Sequence, residues 1–261
     1  MFFPYGDDNV VGGYKPIFSY GFIVLNVLAF LYQLSFPDAL ICEYGSIPAE
    51  ILAGEDMHTL FTSMFMHGGW MHLAGNMVFL WIFADNIEAT VGNVAFFIFY
   101  MLGGLAASAA HIYLGAGTEV LADCCMPCGQ AAIDCGEKMP LCAGSVPTVG
   151  ASGAISAVMG AYLVMFPKSR IKIFVFLIII MKTFRIPAFI FLLFWIGQQL
   201  ASAFGLLGPV SVGGSGVAWW AHIGGFVFGV LCGFAGRGLI KDDSFPPEDP
   251  SPIYGDDGGY A

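Results

Sequence analysis

The chain has 261 residues, of which 57% are hydrophobic and only 11% charged, and its mean hydropathy is +0.78. Soluble domains carry about 25% charged residues, so a soluble globular protein is excluded and an integral membrane protein is expected. Much of the net charge of −10 sits in the C-terminal tail, and the lack of a basic stripe along the chain argues against nucleic acid as a partner.

The first residues, "MFFPYGDDNVVGGYKP", lack a basic region followed at once by an apolar core, so no cleavable signal peptide is expected. Residues 1–16 read as a cytoplasmic N-terminal segment. Six stretches then approach the roughly 20 apolar residues that a membrane span requires. They cover residues 17–36, 69–86, 92–114, 150–166, 187–206 and 218–238. The apolar run "IKIFVFLIIIM" (171–181) is short and bounded by Lys172 and Lys182, and reads as interfacial or re-entrant. The expected fold is an all-α integral membrane bundle of six transmembrane helices over residues 17–240. The acidic tail "KDDSFPPEDPSPIYGDDGGYA" (241–261) reads as disordered.

The nine Lys and Arg residues give the topology. Lys15 precedes the first span. Lys168, Arg170, Lys172, Lys182 and Arg185 lie between the fourth and fifth, and Arg237 and Lys241 follow the sixth. With six crossings these eight share one side and Lys138 alone takes the other. Positive residues collect on the cytoplasmic side, so both termini are expected there. Compactness suggests a prokaryotic inner or plasma membrane.

Six of the seven cysteines then fall outside: Cys42, Cys124, Cys125, Cys128, Cys135 and Cys142. An even number on an oxidising face suggests disulfides. The C-x-x-C within the external loop of about 115–149 leaves a zinc site as the alternative. Cys232 lies within the sixth span and reads as a packed thiol.

Depth links three spans that run in the same direction. Ser152 lies 15 residues before Pro167, where the basic cluster starts, and His222 lies 15 residues before Arg237. At about 1.5 Å per residue, both stand about 22 Å above the inner boundary. His72 and Asn76, four residues apart on one face of the second span, come out in the same outer half. Polar groups at membrane depth are costly and usually face a protein interior or a water-filled cavity.

Each residue also has a plain structural reading. "GASG" around Ser152 suits close helix packing, as do Gly225 and Gly229 in "HIGGFVFG". His222 could be interhelical glue. The catalytic reading uses the same residues. A serine hydroxyl needs an adjacent base, neutral imidazole suits that role, and His72 with Asn76 could donate to an oxyanion. No third carboxylate is apparent to orient His222, so a Ser–His dyad is expected. His67 reads as an organiser of the loop before the second span. Gln198 and Gln199 are polar at outer depth and either line the cavity or pack against a neighbour. Gln198, Trp219 and Trp220 are candidates for substrate binding or gating.

Taken together, "HGGWMHLAGN", "GASG" and "HIGGFVFG" resemble the rhomboid intramembrane serine proteases, over about residues 15–238. The resemblance implies Ser152 as nucleophile and His222 as general base. It implies His72, Asn76 and the Ser152 backbone as oxyanion stabilisers, and a structural role for His67. The fifth span and the following loop, "GLLGPVSVGGSGVA", would act as gate and cap. No cofactor or catalytic metal is implied. The partners would be transmembrane protein substrates within the bilayer. Two departures stand out. The Trp-Arg pair of many bacterial members is missing from "PDALICEYGSIPAEILAGEDMHTLF", and the cysteine-rich insert is unlike the simplest members. The rival readings are a catalytically inactive client-binding relative, a transporter and a zinc-dependent protease. The apolar inner half of the spans opposes a transporter, and the lack of H-E-x-x-H opposes a zinc protease.

Overall fold

A computed structural model describes residues 2–8, 13–116, 128, 143–177, 180–207 and 217–240. Helix α1 (Ile17–Gln33) is followed by three short helices, α2 (Pro37–Tyr44), α3 (Pro48–Ala53) and α4 (Thr59–Thr62). Longer helices follow: α5 (Trp70–Val91), α6 (Asn93–Ala110), α7 (Ser152–Met165), α8 (Ala188–Ala203) and α9 (Trp219–Arg237). A π-helical turn, His111–Ala116, continues α6. The apolar stretches thus each carry a helix. By length and composition, Asn93–Ala116 and Trp219–Arg237 are apolar and long enough to cross a membrane, while α1, α7 and α8 are apolar but shorter.

The shortness of α7 has a physical reason. At 14 residues it rises about 21 Å, and it is the helix enclosed by the others. All its residues from Gly153 to Tyr162 are buried, against α5, α6 and α9. Its first residue, Ser152, therefore meets the first turn of α9, where His222 lies. Small residues permit this enclosure. A Cβ added at Gly225 or Gly229 of α9 would overlap the carbonyl of Gly153 or Ala157 on α7, and one at Gly160 would overlap the carbonyl of Phe226. Glycine is thus required by close backbone approach. The outward faces stay apolar, with Val24, Leu28, Phe194, Leu231 and Phe234 exposed.

Two features differ from the sequence expectation. The apolar run expected to be interfacial or re-entrant carries strands: residues 171–177 lie in β2 (Arg170–Leu177) and 180–181 in β3 (Ile180–Pro187), an antiparallel pair with β1 (Phe2–Gly6) on its edge, in the order β1-β2-β3. The fold is therefore not wholly α. An apolar run rich in Ile, Val and Phe suits a strand as well as a helix, and periodicity cannot separate the two over so few residues.

Polar groups fasten the N-terminal segment and α1 to α5 and α7. Asp7, 3% exposed, accepts from the Tyr162 hydroxyl and from Asn86 Nδ2 at 2.8 Å. Burial pushes its carboxyl from the ordinary 3.8 up to about 8, with the Tyr162 hydrogen bond opposing the rise. Helix α1 begins after Pro16, which has no side chain able to cap it. Glu88 of α5 supplies the acceptors instead. Its carboxylate takes the N–H groups of Phe18 at 2.9 Å and Ser19 at 2.7 Å, and the Ser19 hydroxyl at 2.6 Å.

Candidate active site

Ser152 opens α7 immediately after the tight passage Gly150–Ala151, where Gly150 has φ +125°. His222 lies in the first turn of α9. The glycine-mediated crossing of α7 and α9 brings these two helix starts together, and His222 Nε2 lies 2.9 Å from Ser152 Oγ. Both side chains are half-buried, so the pair is sheltered yet reachable.

A second group converges on the same helix end. His72 Nδ1 accepts the Gly68 N–H at 3.3 Å, so its proton sits on Nε2. Asn76 Nδ2 lies 2.9 Å from His67 Nε2; the amide donates one hydrogen there and retains a second. A Cβ added at Gly150 would stand 2.7 Å from His72 Nε2 and 3.5 Å from Asn76 Nδ2. The missing side chain of Gly150 thus leaves a cradle between two donors. The N–H of Ser152, in the first turn of α7, has no partner within the helix and stands at the same end. N–H groups gathered beside a nucleophile can stabilise a developing oxyanion.

His67 is fully buried and anchored to α1. Its N–H donates to Gln33 Oε1 at 3.0 Å and its carbonyl accepts from Gln33 Nε2 at 2.6 Å. Burial, with His72 adding to it, holds the His67 imidazole at about 4, below the ordinary 6.5. It is neutral near pH 7 and keeps a nitrogen free to accept from Asn76. His67 therefore sets the orientation of Asn76.

Helices α5 and α8 stand apart at an apolar groove of about 340 Å³. Gly75, Val78 and Phe79 line it from α5; Phe191, Phe194, Trp195 and Gln198 line it from α8; Pro4 lies against it. The rings of Phe79 and Phe191 meet across it at 6.1 Å. Gly75 is next to Asn76 and Gln198 next to Gln199, so the groove reaches the level of the polar site. Gln198 thus faces the groove, whereas its neighbour Gln199 reaches the site, with Oε1 2.7 Å from His222 Nδ1. Sequence reading could note both amides but could not assign their faces, because consecutive helical residues point about 100° apart. Trp219 packs edge-on against His222 at 6.4 Å, while Trp220 packs on Phe204 at 5.6 Å, further from the pair.

Cys42 of α2 and Cys128 form a disulfide, and a bridge between Ser46 and Thr148 joins the same two loop regions. Those cysteines are therefore not zinc ligands. Cys124, Cys125, Cys135 and Cys142 lie outside the described residues, as do Lys138, the tail and much of the loop after α8. Among the described residues no cluster of three or more His, Cys, Asp or Glu is arranged to hold a metal.

The Rhomboid domain family matches residues 54–238, more than half of the chain. The chain belongs to the rhomboid family. It is 25% identical over 78% of its length to RHOMBOID-like protein 12, mitochondrial, of Arabidopsis thaliana, covering 54% of that relative. It is 27% identical over 67% of its length to Rhomboid protein 1, mitochondrial, of Saccharomyces cerevisiae, covering 41%. It is 26% identical over 57% of its length to Rhomboid protease GluP of Bacillus subtilis, covering 24%. The chain thus spans about half or less of the length of these relatives. Rhomboid membership makes it a helical membrane protein. Two of the three relatives are mitochondrial, which weighs against the prokaryotic location expected above.

Proposed function

We propose that this rhomboid is an intramembrane serine endopeptidase that cuts transmembrane segments of other membrane proteins near the outer face. The observation that carries the reading is the 2.9 Å approach of His222 Nε2 to Ser152 Oγ beside the His72–Asn76 cradle. In this reading Ser152 attacks the scissile carbonyl and His222 takes the hydroxyl proton. His72, Asn76 and the Ser152 N–H hold the oxyanion. His222 then returns the proton to the leaving amine, and water hydrolyses the acyl-enzyme with His222 again as base. No cofactor takes part in these steps.

The substrate segment enters laterally through the groove between α5 and α8. Its carbonyls are engaged in its own helix, so segments with glycine or other helix-weakening residues near the outer boundary are the preferred class. Six helices cross the membrane, with both termini on the side of the basic cluster.

The test is cleavage of a single-span substrate by the purified chain in detergent, with chelator present. Wild type should cut, and Ser152→Ala and His222→Ala should each lose the activity. Equal cleavage by Ser152→Ala overturns the assignment. Binding of the span without cleavage by wild type would favour the inactive, client-binding alternative.

A further inference from the structure

Gln199 occupies an unusual position for an amide on an outer helix. Its neighbours Gln198 and Leu200 are exposed, whereas Gln199 is turned inward and 6% exposed. Its Oε1 lies 2.7 Å from His222 Nδ1, while its Nε2 makes only a 3.4 Å contact with the Trp195 carbonyl. An amide oxygen can only accept, so Nδ1 must carry the ring proton. That leaves Nε2 unprotonated, and Nε2 is the atom 2.9 Å from Ser152 Oγ.

We infer that Gln199 is a positioning residue, whose amide oxygen selects the tautomer and ring orientation in which His222 faces Ser152 as a base. The consequence for turnover rests on the protease reading; the effect on the tautomer does not. In the acylation step the proton leaves Ser152 Oγ and binds His222 Nε2. The Nδ1 proton stays on the imidazole, hydrogen-bonded to Gln199, and none passes to the amide. Among the described residues the titratable groups acting on His222 are His72 of α5 and His111 of the π turn after α6, and the rings of Trp195 and Trp219 flank it at 5.7 and 6.4 Å. The third partner is therefore neutral: it orients the ring without a compensating negative charge. Gln199 also rides on α8, one wall of the groove. An outward displacement of α8 would carry the acceptor away from His222, tying alignment of the pair to closure of the groove.

The test uses the full chain in detergent with Gln199→Met, close in size but without an accepting oxygen, and Gln199→Glu, which restores one. Cleavage of a single-span substrate gives kcat and KM, and ¹⁵N NMR of labelled histidine, assigned by difference against His222→Ala, shows which ring nitrogen bears the proton. In Gln199→Met the proton should no longer be fixed on Nδ1, and kcat should fall about tenfold to a hundredfold at unchanged KM, as when the second partner of a functional imidazole is lost. Gln199→Glu should recover most of kcat and move the acid limb of the pH–rate profile upward, since a carboxylate stabilises the imidazolium. An unchanged tautomer in Gln199→Met overturns the inference whatever the kinetics. So does an equal loss of kcat in both variants with a lowered unfolding temperature, which would mean that the amide only packs. If wild type shows no Ser152-dependent cleavage, the protease reading fails, and the tautomer comparison decides the Gln199 inference by itself.

Discussion

Gly150 shows how a single absent side chain can shape the candidate site. Its Cα faces His72 and Asn76, and its φ of +125° is one that side-chain-bearing residues rarely adopt. Gly150→Ala should fill the cradle and strain the turn before Ser152. The expected result is a loss of about 10²–10³ in kcat, comparable to removing an oxyanion donor, measured on a single-span substrate. A variant that folds and cuts at the wild-type rate would remove the cradle from the mechanism. His67 and Gln33 illustrate a different limit. The sequence marks His67 as a polar residue before the second span but gives no sign that Gln33, at the end of the first, is its partner. That Gln33 clasps the His67 backbone, and that His67 in turn holds Asn76, depends on three segments meeting, and no local pattern encodes it.

At the scale of elements, α7 and α9 meet backbone to backbone whereas α5 and α8 leave a groove, for opposite chemical reasons. Glycines of each helix face backbone carbonyls of the other at the first, leaving no room for a methyl group. Gly229→Val should force the helices apart and lower stability by about 1–3 kcal/mol or more, read as a fall in unfolding temperature in detergent, together with loss of the Ser152–His222 approach and of activity. At the second, aromatic rings bridge a groove. Phe191 touches both Phe79 and Phe83, each at 6.1 Å. Phe191→Ala should ease separation of α8 and raise kcat/KM for transmembrane substrates. Its rate on a small soluble ester should stay unchanged, because such a molecule need not part the helices. A drop in both rates would indicate that the ring supports the site and does not gate it. The strand pair β2–β3 is the element that the all-α expectation missed. Its apolar composition was visible; its pairing with β1, distant in the chain, was not.

For the whole molecule, the N-terminal segment is clamped by the buried Asp7 to α5 and α7. The ordinary carboxyl value is 3.8 and burial raises it to about 8, so the folded state holds a proton that the unfolded chain releases. The stabilisation is complete below about 4 and is lost as pH rises through about 8. Protection of residues 2–8 against hydrogen exchange, taken relative to the intrinsic base-catalysed rate, should therefore fall as pH rises to about 8, and Asp7→Asn should flatten that dependence. Protection that is equally high at pH 9 would show that ionised Asp7 is accommodated, for instance by nearby Lys172, whose Nζ donates to the Asp7 carbonyl at 2.7 Å.

Hydropathy, small-residue spacing and the shared depth of Ser152, His222, His72 and Asn76 made much legible: the stretches that carry the longer helices, a membrane setting and the residues proposed for the candidate site. These are legible because the bilayer imposes length, and because polar groups inside it are too costly to be incidental. The tertiary structure alone decided which faces meet. It separated Gln199 from Gln198, joined Cys42 to Cys128, paired 170–177 with 180–187 as strands and placed Ser152 at the start of a short, enclosed helix. Those outcomes depend on contacts between residues far apart in the chain, whose free energies are fixed only when backbone approach, burial and hydrogen bonding are satisfied together.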